Sequence, residues 1–300
     1  MGNQLYNQVL NIHLAAVEET LPKYLPKDDQ ALQKLLYEIM AYACEAGGKR
    51  IRPILVLEFC RICGGDTARA LPFACAIEMI HSYSLVHDDL PCMDNSPVRR
   101  GRPSAHAAYG EAMALLAGDA LLNRAFEVML DPANRSGLPS ESVLRAAFEL
   151  ADASGAGGMV GGQVIDILYE NKPIDIDVLE KLQLGKTAAL IEAACVIGCH
   201  LAGAGEEKVS AAREYGRQLG LAFQIVDDIL DATATAEQLG KPVGSDAEHG
   251  KATYVSLLGI EAAEKLAEER TENAIRSLEV FKDKADVLRE FTYALLKRKK

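Results

Sequence analysis

The chain has 300 residues, 49% of them hydrophobic, with a net charge of −11 and seven cysteines. The apolar content supports a full core, the acidic balance argues against a nucleic-acid partner, and no unbroken apolar run reaches the roughly 18 residues that suggest a membrane span. The odd cysteine count, with no basic-plus-apolar leader at the N-terminus, fits a reducing cytoplasm.

Almost every segment carries a 3.6-residue period and none alternates convincingly, so the spacing predicts an all-α fold. An amphipathic helix runs from the start through about Tyr24 and ends near Pro22 and Pro26. A second runs from about Asp29 to Glu45, where Gly47-Gly48 stops it. Lys49-Arg50-Ile51-Arg52-Pro53 is a basic turn opening a third helix that reaches about Cys63. Two glycines permit close backbone approach there, and Lys49 and Arg52 make a plausible anion site. The plainer alternative is a helix cap with solvated cations. A long helix follows, from about Ala68 to an acidic cluster at Asp88, Asp89 and Asp94. His81, Ser84 and Asp88 share one of its stripes, and Tyr83 and Ser84 stand about one turn below Asp88.

Beyond the Arg99-Arg100-Gly101-Arg102-Pro103 loop, further helices span about Glu111 to Leu130 and continue to about Ala153. Five glycines between Gly155 and Gly162 precede Gln163 and Asp166, a density that suggests close helix contact or approach to a ligand. Gly185-Lys186-Thr187 interrupts the next helix, placing a cation, a hydroxyl and freed carbonyls together. The helix from Arg213 to Ala232 carries a second acidic cluster. A loop bearing Lys241 and Lys251 is a candidate lid, and two or three helices close the chain. No linker or repeat divides it, so residues 1–300 are expected to form one domain. The pairs Cys60/Cys63 and Cys195/Cys199 lie in apolar helical pattern and are taken as core packing.

The two acidic clusters dominate the chemistry. Gln224, Asp227, Asp228 and Asp231 fall at i, i+3, i+4 and i+7, one polar seam on an otherwise apolar helix. Two carboxylates about 4 Å apart repel by roughly 4 kcal/mol at an effective dielectric near 20. Oxygen-only ligands without His or Cys suit Mg²⁺, which often bridges to substrate phosphate. In the first cluster, Asp88 and Asp94 are too far apart in sequence for one helical face. Pro91 should end the helix and let the chain bring Asp94 back beside Asp88. Arg99-Arg100 follows at once, and Arg forks suit phosphate. Acid for metal and Arg for phosphate read together as a diphosphate–metal site.

These pieces and their order resemble the trans-polyprenyl diphosphate synthases along nearly the whole chain. They are Gly-Gly-Lys49-Arg-Ile-Arg52-Pro, His81, Asp88-Asp89-x4-Asp94 with Arg99-Arg100-Gly, Gly-Gly-Gln163-x2-Asp166, Lys186-Thr187, Gln224-x2-Asp227-Asp228-x2-Asp231, Lys241 and Lys251. The resemblance implies an isoprenoid-synthase bundle around a deep cavity, a homodimer, and head-to-tail condensation of isopentenyl diphosphate with an allylic diphosphate. It implies about three Mg²⁺ held by Asp88, Asp94 and Asp227, with Asp89, Asp228 and Asp231 in support and Mn²⁺ able to substitute. Arg99, Lys186 and Lys241 would hold the allylic diphosphate. Lys49, Arg52, His81 and Arg100 would hold isopentenyl diphosphate, and Lys251 would help close the loop. Thr187, Gln224 and the Lys186 carbonyl would offer weak dipoles to a carbocation. The six-residue step from Asp88 to Asp94 and aromatic Tyr83 five residues before Asp88 resemble bacterial farnesyl diphosphate synthases. The expected product is therefore C15, with a C20 geranylgeranyl synthase as the alternative. Asn95-Ser96-Pro97 departs from the family, which often has further acids there. The rivals are a class I terpene cyclase, which needs no isopentenyl site; a non-catalytic subunit of a heteromeric synthase, which should have lost an acidic motif; and a purely structural bundle.

Overall fold

The computed structural model describes residues 2–233 and 251–296. Lys241 and the terminal Lys297-Arg298-Lys299-Lys300 lie outside that set. The chain order is α1 (Gly2–Tyr24), α2 (Lys34–Cys44), α3 (Ile51–Cys63), α4 (Thr67–Asp88), α5 (Ala105–Tyr109), α6 (Glu111–Leu130), α7 (Ser140–Ser154), α8 (Met159–Tyr169) and α9 (Ile176–Gln183). A π-helical turn, Leu184–Ala188, joins α9 to α10 (Ala189–Leu201). Then come α11 (Glu206–Thr233), α12 (Tyr254–Leu258), α13 (Ile260–Ser277), a 3₁₀ segment Leu278–Ala285, and α14 (Asp286–Leu296). The all-α expectation holds.

The bundle is built on helices that are apolar nearly all round. α3, α4 and α10 bury residues on every face, among them Phe59, Phe73, Ile77 and Val196. A helix without a polar face has no place on a surface and is driven to the centre, each fully buried Ile or Phe contributing about 1.5–3 kcal/mol. By length and hydropathy, Ile176–Leu201 is apolar enough to cross a bilayer, although the sequence shows no unbroken apolar run of that size. Its windowed residues are 61% buried inside the bundle, and α10 packs against α3, α7 and α11. A smaller apolar cluster of Leu179, Ile225, Val226 and Tyr254 ties α12 and α13 to the lower half of α11.

Local signals set the ends that matter. Asp66 caps α4 by accepting from the Ala68 N–H. The same helix stops at Asp88, before Pro91. α3 begins at a tight turn in which Gly47, Gly48 and Arg50 all have positive φ (77°, 132° and 46°). One expected loop proves structured: Val98–Arg99 pairs antiparallel with Arg102–Pro103. Arg100 and Gly101 form its two-residue turn, both at positive φ. α1 runs through Pro22 and ends at Tyr24, as expected.

Candidate active site

A cavity of about 940 Å³ opens between the C-terminal half of α4, the turn before α3, the hairpin, α8, the π turn and α11. It gathers thirteen residues singled out in the sequence: Lys49, Arg52, His81, Tyr83, Ser84, Asp88, Arg99, Arg100, Gln163, Lys186, Thr187, Gln224 and Asp227. Asp89, Asp94, Asp166, Asp228, Asp231 and Lys251 do not line it.

At one rim the turn after α4 works as its sequence implies. Asp94 N–H donates to the Asp88 carbonyl at 2.9 Å, folding the chain back on itself. Asn95 takes a left-handed φ of 48° in this turn, and its N–H donates to Leu90 O. From there a chain of alternating charges crosses to α8. Lys251 Nζ lies 3.0 Å from Asp94 and 3.6 Å from Asp166, and Lys186 Nζ lies 2.6 Å from Asp166 and 3.8 Å from Asp88. Gln163 donates to Asp88 at 2.5 Å. Burial, opposed by Lys186 and reinforced by Asp94, pushes the Asp88 carboxyl above the usual range. Burial also raises the Asp89 carboxyl, although Arg99 grips it with contacts of 2.5 to 3.1 Å.

The α11 seam divides. Gln224 and Asp227 face the cavity. Asp228 and Asp231 are only 3% and 6% exposed. Asp228 accepts from the Tyr254 backbone N–H at 2.8 Å and from Gln224 at 3.0 Å, so it anchors α12 and orients Gln224. Thr187 donates toward Gln183 or Gln224, both at 3.3 Å.

The opposite rim is cationic. Arg100 donates to Gly47 O, and its guanidinium covers Gly48, where a Cβ would come within 2.8 Å. It is Arg100 that approaches, with the flexible end of its side chain, and the φ of 132° at Gly48 is what favours glycine here. Arg52 Nε is buried with no hydrogen-bond partner among the described residues. Burial, with Arg100 adding to it against Glu78, pulls the Arg52 guanidinium down to about 10. Burial and the surrounding Arg52, Arg100, Arg50 and Arg99 hold His81 well below its usual range, so its imidazole is neutral at pH 7. Clustered cations with an unpartnered donor are the chemistry an anion site requires.

Two features escaped the sequence reading. Arg50, taken only as part of the basic turn, is wholly buried and binds Glu18, Glu78 and the Cys44 carbonyl at 2.6–2.7 Å, fixing the turn between Lys49 and Arg52. The second is the fit of α8 to the π turn. A Cβ on Gly162 would lie 2.1 Å from Lys186 N, and one on Gly185 would meet Gly162 Cα at 2.9 Å. The glycine density thus serves helix contact. Its signal was in the sequence; its partner was not.

The donor set also bears on a metal. Among the described residues no three Asp, Glu, His or Cys side chains gather closely enough to enclose an ion. Asp88 and Asp94 stand at the α4 rim and Asp227 on α11. Mg²⁺ keeps several waters and binds through one or two carboxylates plus substrate phosphate rather than an all-protein cage. The arrangement fits Mg²⁺ arriving with a diphosphate.

The polyprenyl synthetase family profile matches residues 33–293. The chain belongs to that family. It is 48% identical over 244 residues to geranylgeranyl pyrophosphate synthase 3, chloroplastic, of Arabidopsis thaliana, covering 80% of this chain and 68% of the relative. The crystal structure of an FPP/GFPP synthase from Zymomonas mobilis superposes with a TM-score of 0.86 at 36% identity, covering 98% of this chain and all of the other. A geranyltransferase from Helicobacter pylori, solved in complex with magnesium and isoprenyl diphosphate, superposes with a TM-score of 0.83 at 32% identity, covering 98% and 96%. The family extends prenyl chains using Mg²⁺.

Proposed function

We propose that this cavity condenses isopentenyl diphosphate with an allylic diphosphate, released diphosphate being the by-product. The observation that carries the reading is one cavity with carboxylates on two facing elements, Asp88 and Asp227, and a cationic cluster on a third side. A cyclase would not need the second anion site formed by Lys49, Arg52, His81 and Arg100, and a non-catalytic subunit would not keep both acidic faces.

In this reading Asp88, Asp94 and Asp227 hold Mg²⁺, with Mn²⁺ able to substitute. Bound there, the metal would neutralise charge that grows on the departing allylic diphosphate, an interaction stronger in the transition state than in the ground state. Lys186, together with Lys241 from outside the described residues, would add cationic contacts to that diphosphate. Lys251, now spanning Asp94 and Asp166, is placed to follow it. Arg99 would take the diphosphate while held by Asp89, so Asp89 and Asp228 orient neighbouring groups rather than face the ligand, and Asp231 is buried outside the cavity lining. The Thr187 hydroxyl and Gln224 Oε1 offer weak dipoles to the allylic cation. The isopentenyl double bond attacks that cation, a proton leaves the adjacent carbon, and the released diphosphate accepts it.

The main product we propose is C20, geranylgeranyl diphosphate. Relatives named for that product are 44–48% identical to this chain, which favours it over the C15 expectation. The C15 reading keeps one specific support. Tyr83 lines the cavity, its ring packs edge-on against His87 at 5.7 Å, and His87 is seated over Gly118 of α6. A ring so braced could floor the pocket. A homodimer, a single domain over residues 1–300, and a cytoplasmic site of action belong to the same proposal, although several relatives are named chloroplastic. Incubation with isopentenyl and dimethylallyl diphosphates plus Mg²⁺ tests the reaction and the product length: condensation to C20 supports both. A product stopping at C15 keeps the reaction and restores the Tyr83 floor.

A further inference from the structure

Far along the same helices, away from the cavity, two cysteines from different sequence motifs meet. Cys63, the last residue of α3, has its Sγ 3.7 Å from that of Cys199 in the last turns of α10. Two glycines permit this meeting. A Cβ on Gly198 would come within 2.4 Å of the Val56 carbonyl and 2.8 Å of Cys60 N, and one on Gly65 would fall 2.8 Å from Ala202 Cβ. α3 and α10 therefore touch backbone to backbone beside the pair, and the thiols are held together by helix packing. Cys199 is fully buried, whereas Cys63 is partly exposed.

We propose that Cys63 and Cys199 are a reversible oxidation site that closes to a disulfide by exchange with an external low-molecular-weight disulfide. The hydrogen bond from Cys199, with Lys208 and Lys284 nearby against the effect of burial, lowers the Cys63 thiol and makes it the nucleophile. The Cys63 thiolate attacks one sulfur of the external disulfide, breaking its S–S bond and releasing one thiolate. Cys199 then attacks the Cys63 sulfur of the mixed disulfide, losing its proton and expelling the second thiolate. The protein loses two electrons and two protons, and the external disulfide gains them as two thiols. The hydrogen bond to Cys63 and burial raise the Cys199 thiol, as burial raises Cys60 and Cys195, so it is the 3.7 Å approach of the two sulfurs that selects Cys199 as the partner, whereas the Cys195 thiol donates to the Ile191 carbonyl. Exposed Cys92 lies near the rim of the cavity, far along α4 from this site.

The bridge would join residues 136 apart, so its main effect is on the unfolded chain. A loop of that size in a chain of this length corresponds to a rise in Tm of about 5–10 °C. The test uses the full chain carrying Cys92→Ser. It is exposed to oxidised glutathione, alkylated, digested and analysed by mass spectrometry alongside thermal unfolding. The expected result is a Cys63–Cys199 peptide, loss of two alkylatable thiols, a higher Tm, and reversal by dithiothreitol. Cys63→Ser, at a partly exposed position that tolerates the change, should abolish all of these; Cys199→Ser should leave Cys63 as a stable glutathione adduct. A glutathione adduct on Cys63 in the chain that retains Cys199, a bridge between other cysteines, or an unchanged Tm with the bridge formed would overturn the proposal.

Discussion

Asp88 is the residue on which the site turns. It is drawn from the end of an apolar helix, accepts from Gln163, and shares its field with Lys186 and Asp94. Its replacement by alanine removes a costly buried charge, so stability should hold while metal binding fails. We expect Asp88→Ala and Asp227→Ala each to cut turnover by about 10³-fold, the equivalent of roughly 4 kcal/mol of transition-state stabilisation. Circular dichroism would confirm the fold, and normal turnover would refute the metal assignment. His81 gives a prediction in pH. Its folded pKa lies below the unfolded value of 6.5, so the unfolded chain binds the proton more readily. The sign is therefore a loss of stability as pH falls below 6.5. His81→Gln should flatten part of the decline in Tm between about pH 7 and 5; an identical slope would show that His81 charges in the folded protein. The local character of most of these residues was legible in the sequence, because helical spacing alone puts His81, Ser84 and Asp88 on one stripe. What spacing could not supply was the partner. Asp228 reads as a cavity ligand by its register with Asp227, yet it accepts from Tyr254, 26 residues away. Only the docking of α12 decides that.

At the scale of elements, the site depends on breaks in regular helices. α4 stops before Pro91, α9 passes into α10 through a π turn, and the basic residues hang on a left-handed turn and a hairpin. Pro91 and Gly47-Gly48 announce their breaks, since proline and glycine act locally. The π turn does not announce itself as such: Gly185-Lys186-Thr187 signals an interruption, but its shape is set by Gly162 pressing from α8. Gly162→Ala tests this. Its added carbon has no room against the Lys186 backbone, and we expect a cost of about 1–3 kcal/mol. Turnover should fall further than stability accounts for, because Lys186 and Thr187 move with the turn. Unchanged kinetics in a folded Gly162→Ala variant would show that the π turn does not set the site. The hairpin escaped because its strands are two residues long, below any useful alternation; its Arg-Gly turn was the available clue.

For the whole molecule, a helical bundle follows from helices too apolar to lie outside, while its cavity was implied by the family resemblance and the polar seam of α11. That much was legible, as was the order of the elements; the helix expected over Glu111 to Leu130 spans those residues. Product length is a property of the whole cavity and was less legible, since one aromatic ring does not fix the extent of a cavity lined by α4, α8 and α11. If the wild-type product stops at C15, so that Tyr83 is the floor, Tyr83→Ala should lengthen it by at least one five-carbon unit, read by chromatography of the dephosphorylated alcohols. An unchanged product would move the floor to another residue. The most direct test of the central claim is the condensation itself, measured with isopentenyl and dimethylallyl diphosphates in the presence of Mg²⁺ and again after EDTA. The account predicts Mg²⁺-dependent chain elongation to C20 with diphosphate release, abolished by chelation. Allylic diphosphate hydrolysed or cyclised without condensation, or elongation indifferent to EDTA, would contradict it.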